Sequence, residues 1–143
     1  MSLVPGDPLA HRALESLLRA QASVRRRLAA DLERAGLSMS GFWMMVVLST
    51  AGGELELRAL RRRLRVSKAT ATEVVSTIEG RGLVTRRRSK RDGRAVQVRL
   101  TAAGADLVER LFPEHTQRVS AAFAALDERE KRSLAELCRK LAA

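Results

Sequence analysis

Residues 91–101, Arg-Asp-Gly-Arg-Ala-Val-Gln-Val-Arg-Leu-Thr, set three charges around a glycine and then alternate apolar with polar side chains. A period of two marks a strand with one covered face, so Val96, Val98 and Leu100 point inward while Gln97 and Arg99 point outward. Asp92-Gly93 just ahead of it is the strongest short hairpin signal, because a two-residue turn needs positive φ. Residues 83–88 then form the outgoing strand, 89–93 the tip and 95–100 the return.

Upstream, Ser67 is a good N-cap for a helix over residues 67–81 with Ala71, Val74, Val75 and Ile78 on its inward stripe. Its opposite face is small and polar: Lys68, Thr70, Thr72, Glu73, Ser76 and Thr77. A shorter helix over residues 55–64 precedes it, with Leu57, Leu60 and Leu64 on one stripe and Arg58, Arg61, Arg62 and Arg63 around the rest. Before that, Ser38 caps SGFWMMVVLSTA, apolar on every face, which must therefore be covered on both sides; Gly52 and Gly53 end it. A long amphipathic helix over residues 9–35 carries Leu14, Leu17, Leu18, Val24, Leu28 and Leu32 and stops at Gly36.

Downstream of the hairpin, Thr101 caps a helix through Leu107, Leu111, Val119 and Phe123, which Pro113 kinks or breaks in two. Asp127 and Glu130 have capping-box spacing for a last helix with Leu134, Leu137, Cys138 and Leu141 on a buried stripe. The expected fold is mainly α: four helices, a hairpin, two helices. The 143 residues amount to one structural unit, and 45% hydrophobic content suffices for a core.

Charge is concentrated. Between Arg58 and Arg99 stand fourteen Lys or Arg against three acids, Glu73, Glu79 and Asp92, which accounts for the whole +11 of the chain. A near-neutral frame around one basic segment is the electrostatic footprint of a nucleic-acid binder. Arg86, Arg87, Arg88, Lys90, Arg91 and Arg94 cluster at one end of the hairpin, where they repel one another unless a polyanion is present. Small hydroxyl residues at the N-terminus of the 67–81 helix let a backbone approach base edges. The expected DNA contacts are Ser67, Lys68, Thr70, Thr72, Ser76, Arg86, Arg88, Lys90, Arg91 and Arg94. Arg94 is the candidate for a narrow minor groove, with Asp92 bracing its guanidinium and Gly93 making the turn.

Catalysis has little to stand on. His11 and His115 lack a second ligand at metal-binding spacing, and Cys138 has no adjacent base, so no catalytic or metal site and no cofactor are expected. The single cysteine excludes an internal disulfide, and neither an apolar signal core at MSLVPGDPLAHR nor a membrane-length apolar window is seen. A cytoplasmic protein without a membrane partner is the expectation.

The stretch LSTAGGELELRALRRRLRVSKATATEVVSTIEGRGLVTRRRSKRDGRAVQVRLTAAG resembles the MarR family of winged-helix transcription regulators. Asp92-Gly93-Arg94, then Leu100-Thr101 and Gly104, match its D-x-R and L-T-x-x-G wing pattern, and Gly80 to Val84 match the approach. The resemblance implies an α+β winged helix with a DNA-binding region at 37–100. It further implies an obligate homodimer held by helical regions 1–36 and 101–143, on a pseudo-palindromic duplex. Helix 67–81 would then enter the major groove and Arg94 the minor groove. It also implies release by a small aromatic or phenolic effector, for which Phe42, Trp43, Met45 and His11 are the candidate contacts. The family's N-terminal redox cysteine has no counterpart here, Glu73 and Thr77 replace frequent basic residues, and Gly93 replaces a frequent arginine. The resemblance implies a repressor released by that effector. The rival reading is a sequence-independent architectural protein of DNA or RNA, weakened by the shortage of aromatic residues for base stacking.

Overall fold

The protein is described by a computed structural model covering residues 6–143. Residues 1–5, which open both the 1–36 region and the stretch read for a targeting signal, lie outside the described residues.

Helix α1 (Pro8–Arg34) opens on Asp7, whose Oδ1 accepts the backbone N–H groups of Leu9 and Ala10 at 3.0 and 3.2 Å. Pro8 follows in the first helical position, where a missing N–H leaves nothing unsatisfied. The helix closes at Gly36, φ 73°, with Leu37 N–H donating to the Leu32 carbonyl at 2.8 Å. Ser38 then caps α2 (Met39–Thr50) by accepting from Gly41 N–H at 3.0 Å. As its all-round apolar sequence demands, α2 buries Phe42, Met44, Met45, Val46 and Leu48, and Trp43 is the large side chain it leaves in solvent.

The next segment departs from expectation. Helix was anticipated from residue 55, but Glu54–Glu56 forms strand β1, and helix α3 (Leu57–Leu64) begins after it. Gly52 and Gly53, at φ 90° and 98°, swing the chain so that the Gly53 carbonyl accepts Leu100 N–H at 2.8 Å. Three residues are too few to show a periodicity, and the strand exists because a free sheet edge lies beside it.

Arg65 ends α3 at φ 53°, the one non-glycine residue at positive φ among those described, and Ser67 starts α4 (Lys68–Gly80). Strands β2 (Val84–Arg88) and β3 (Val96–Leu100) complete an antiparallel sheet of order β1-β3-β2. Val98 pairs with Leu55 on one side and Arg86 on the other and is fully buried, as the alternation of its strand required. The tip differs from the expected two-residue turn: it is a loop over residues 89–95, closed by Ser89 N–H to the Ala95 carbonyl at 2.8 Å. Gly93 has no positive φ. Asp92 supplies the turn by itself, its carbonyl accepting from Ala95 N–H and its Oδ1 from Arg94 N–H, each at 3.0 Å, which needs no left-handed residue.

Helix α5 (Ala102–Ala122) is continuous through Pro113, where a kink or a break is expected, and Phe123 falls just beyond its end. The expected capping box opens α6 (Glu128–Ala142), with Asp127 Oδ1 accepting from Glu130 N–H at 2.8 Å and Asp127 N–H donating to Glu130 at 3.0 Å. The stripe of α6 is not buried in the single chain: Leu134, Leu137, Cys138 and Leu141 are all exposed. One compact unit comprises Asp31–His115, and a second comprises Thr116–Ala143 with α1 up to Ala30.

The core of the first unit joins Leu32, Phe42, Met45, Leu48, Leu60, Val75, Ile78, Val84 and Val98 with the start of α5. Each such large side chain, once buried, contributes about 1.5–3 kcal/mol. Thr101 and Gly104 lock α5 onto this unit. The Thr101 hydroxyl donates to the Gly82 carbonyl at 2.7 Å and accepts from Gly104 N–H at 3.1 Å, while Thr101 N–H donates to the Leu83 carbonyl at 3.0 Å. A Cβ at residue 104 would lie 2.1 Å from the Leu83 carbonyl oxygen, a backbone atom that cannot step aside. Gly104→Ala is expected to destabilise the fold by about 1–3 kcal/mol in chemical denaturation; an unchanged midpoint would refute this packing.

Candidate nucleic-acid interface

Helix α4 is amphipathic in the sense a groove reader requires. Ala71, Val75 and Ile78 are buried against the core, whereas Lys68, Thr70, Thr72, Glu73, Ser76 and Thr77 are exposed. Ser67 Oγ accepts Thr70 N–H at 3.1 Å and donates to Thr70 Oγ1 at 3.0 Å, so these two hydroxyls fix the helix start. Lys68, Thr72 and Ser76 have no side-chain hydrogen bond or ion pair among the described residues and stand ready for an external partner. Thr77 turns back onto its own helix, donating to the Glu73 carbonyl at 3.0 Å.

The C-terminal end of α4 is held twice. Arg81 Nη1 donates to the Gly36 carbonyl at 2.6 Å, tying its C-terminal end to the turn between α1 and α2. Glu79 accepts three bonds from Arg86 of β2: from the backbone N–H at 2.8 Å, Nε at 3.1 Å and Nη2 at 2.9 Å. The side-chain bonds, then the backbone bond, hold the Glu79 carboxyl below the ordinary carboxylate range. Arg86, expected to contact DNA, is instead half-buried and committed to this clasp, which fixes the hairpin against α4. An acid seven residues ahead of a strand arginine carries no recognisable spacing, so only the folded arrangement discloses the pair.

The other hairpin residues expected to contact DNA are unengaged within the described part of the chain. Arg88, Lys90, Arg91 and Arg94 are exposed, with neither ion pair nor side-chain hydrogen bond from their charged groups among the described residues. Asp92 does not brace the Arg94 guanidinium as anticipated; it fixes the Arg94 backbone and leaves the charged end free. Of the fourteen basic residues from Arg58 to Arg99, only Arg58 and Arg86 have an ion-pair partner among those described. The remainder form a field of one sign along α3, α4 and the hairpin.

The residues anticipated for an effector are divided. His11 is exposed on α1 in one unit; Phe42, Trp43 and Met45 are in the other. Phe42 and Met45 are fully buried, and Trp43 is 41% exposed. Beside them stands His115, absent from the anticipated set. Its ring lies 4.9 Å from Phe42 and 5.3 Å from Trp43, edge-on to the indole. It is 4% exposed, neither ring nitrogen has a hydrogen-bond partner, and burial lowers its pKa. The missed signal was its position four and eight residues after Leu111 and Leu107, on the buried stripe of α5. No group of three or more metal-ligating side chains occurs among the described residues.

A short helix, a tight turn, a second helix with a polar outer face and a three-stranded sheet ending in a basic hairpin define a winged helix-turn-helix. Residues 37–96 of this chain match the MarR family model. It is 28% identical over 122 residues to the uncharacterized HTH-type transcriptional regulator YkoM of Bacillus subtilis (strain 168), covering 85% of this chain and 79% of YkoM. Sco3205, a MarR family regulator of Streptomyces coelicolor solved in complex with DNA, has the same fold, with a TM-score of 0.89 at 23% identity over 99% of this chain and 90% of that one. The organohalide-sensing regulator RdhR-CbdbA1625, solved in its 2,4-dichlorophenol-bound form, gives 0.86 at 20% identity, covering 99% and 88%.

The Glu79–Arg86 clasp has a measurable pH signature. Because the folded carboxyl titrates below its unfolded value, its stabilisation is complete above the ordinary carboxylate range and is lost as pH falls through the lowered value. Glu79→Gln is expected to lower stability by about 0.5–1 kcal/mol at neutral pH. Melting curves of variant and wild type should converge in acid, and a constant difference at all pH would contradict the clasp.

Proposed function

We propose that this protein is a sequence-specific regulator of transcription rather than an enzyme, acting in the cytoplasm as a homodimer on a pseudo-palindromic duplex. The observation that carries the reading is the rigid pairing of two exposed elements on one unit: the polar face of α4 and the wing, clasped by Glu79 and Arg86 and surrounded by unpaired arginines. Helix α4 enters the major groove through Lys68, Thr72 and Ser76, and Arg94 enters the adjacent minor groove, where narrow A·T-rich stretches attract guanidinium groups. The DNA-bound Sco3205 structure, alike in fold, supports that docking.

The dimer reading rests on the second unit, that of α1 up to Ala30 with Thr116–Ala143. Leu9, Leu14, Leu17 and Leu18 of α1 and Leu134, Leu137 and Leu141 of α6 are exposed in the single chain, large apolar side chains of the kind that mark an interaction surface. A two-fold copy covers it and sets two recognition helices about one helical turn apart, roughly 10 bp. A dimer seated over such a site represses by occlusion. Among the described residues no helix is long and apolar enough to cross a membrane.

A small aromatic or phenolic effector is assigned to the Trp43 edge, where His115 offers two unbonded nitrogens beneath an exposed indole. The dichlorophenol-bound neighbour supports that ligand class.

Four measurements test this. Selection of bound duplexes from a random pool is expected to enrich an inverted repeat; enrichment of no sequence would select the architectural reading instead. With six to ten phosphates neutralised, affinity should fall by roughly 10³–10⁵ between 50 and 200 mM salt. Arg94→Ala should weaken operator binding by about 1–3 kcal/mol without altering the oligomer seen in sedimentation. For the effector, phenols and aromatic acids should quench Trp43, the sole tryptophan, in step with release of operator; silence across a broad panel would remove the ligand from the mechanism.

A further inference from the structure

Between α3, the start of α4 and the wing lies a cleft of about 500 Å³. Its polar lining is Arg58 and Arg61 from α3, Lys68 from α4, Arg94 and Asp92 from the wing, and Glu56 from β1. The floor includes Ala71, fully buried, and half-buried Val96. Four cations converge there on one concave surface, and two carboxylates share it.

The position of this cleft follows from simple topology. A major groove and the minor groove next to it are separated by a single sugar-phosphate strand. If α4 occupies one and the wing the other, that strand must pass between them, which is where the cleft runs. Resting on the proposed duplex binding, we infer that the cleft is the slot for this strand: Arg58 and Arg61 seat its phosphodiesters, and Glu56 is a built-in competitor that holds the seat's affinity down.

The competitor role comes from the pairing of Glu56. Its Oε2 stands 3.9 Å from Arg58 Nη2, a long contact that a phosphate oxygen can displace. Backbone pairing with Gln97 of β3 anchors Glu56 at the cleft wall, so its carboxylate stays within side-chain reach of Arg58. An entering phosphate therefore competes with that carboxylate for Arg58 and is repelled by it. Asp92 is a weaker opponent, since its Oδ1 is engaged by the Arg94 backbone N–H. Both effects act on the backbone and not on bases, so they lower affinity for every duplex equally. A binder with this much unpaired charge would otherwise spread over bulk DNA, and Glu56 limits that spreading without touching sequence readout.

Glu56→Gln is expected to tighten binding to operator and to bulk duplex by the same factor, about two- to fivefold, the range of an exposed ion pair. Arg58→Gln with Arg61→Gln should weaken both by a common factor and reduce the slope of log affinity against log salt by about one to two. Arg58→Lys with Arg61→Lys keeps the charge and should restore most of the slope, which separates phosphate seating from any damage to α3. On the DNA side, a single methylphosphonate in the strand between the two grooves should penalise the wild type but add nothing to the Arg58→Gln, Arg61→Gln protein. A wild type that binds duplex steeply with salt while the glutamine variant keeps the same slope overturns the slot and leaves the duplex reading intact. Loss confined to operator, or a Glu56→Gln protein no tighter than wild type, overturns the competitor role. A wild type with no duplex affinity overturns both readings.

Discussion

Hydrogen bonding along β3 is the constraint on which the rest of the DNA-facing unit depends. The strand is central, with β1 on one edge and β2 on the other, and Leu100 N–H extends the contact to Gly53. Because β1 runs directly into α3 and β2 is clasped to α4 by Arg86 and Glu79, one five-residue strand fixes the wing against both helices of the helix-turn-helix. Burial of Val98 sets the register, since a one-residue slip would turn Val96, Val98 and Leu100 to solvent and Arg99 to the core. Spacing between wing and recognition helix is therefore a property of the backbone ladder and not of flexible side chains.

That rigidity explains how so lopsided a charge distribution is tolerated. Unpaired arginines on α3 and the wing share one face and repel one another. Their cost is carried by an apolar core from α2, α3, α4 and the sheet, in which Phe42, Met45, Leu48, Leu60, Val75 and Val98 have no exposed surface. Two of the acids that lie among the cations have separate tasks: Glu79 neutralises an arginine to hold the fold, and Asp92 shapes a loop while leaving its neighbour's charge unmasked.

Most of this architecture was legible in the sequence because its signals are local. Ser38, Ser67, Thr101 and Asp127 begin helices where their cap chemistry predicts, and the alternation of 96–100 describes β3 correctly. What escaped was what depends on partners distant in the chain. Strand β1 is three residues long and exists only against β3, and nothing in the spacing of Glu79 and Arg86 marks them as a pair. His115 read as an isolated histidine because the rings that pack on it come from residues some seventy positions earlier. The stripe of α6 was read correctly as apolar, but its burial requires more than this one chain. At the wing tip, the Asp-Gly pair suggested the shortest turn, whereas the Asp92 side chain built a wider one.

The last point bears on how such proteins diverge. Gly93 occupies an ordinary backbone conformation, and a side chain there would meet nothing within 4 Å, whereas at Gly104 even a methyl group collides with the Leu83 carbonyl. Two glycines eleven positions apart therefore face opposite evolutionary pressures. One is locked by its neighbours; the other is an open site where single-nucleotide changes can add or remove charge at the wing without disturbing the scaffold. Lineages descended from this sequence can drift in the strength of their grip on DNA while every strand and helix stays where it is.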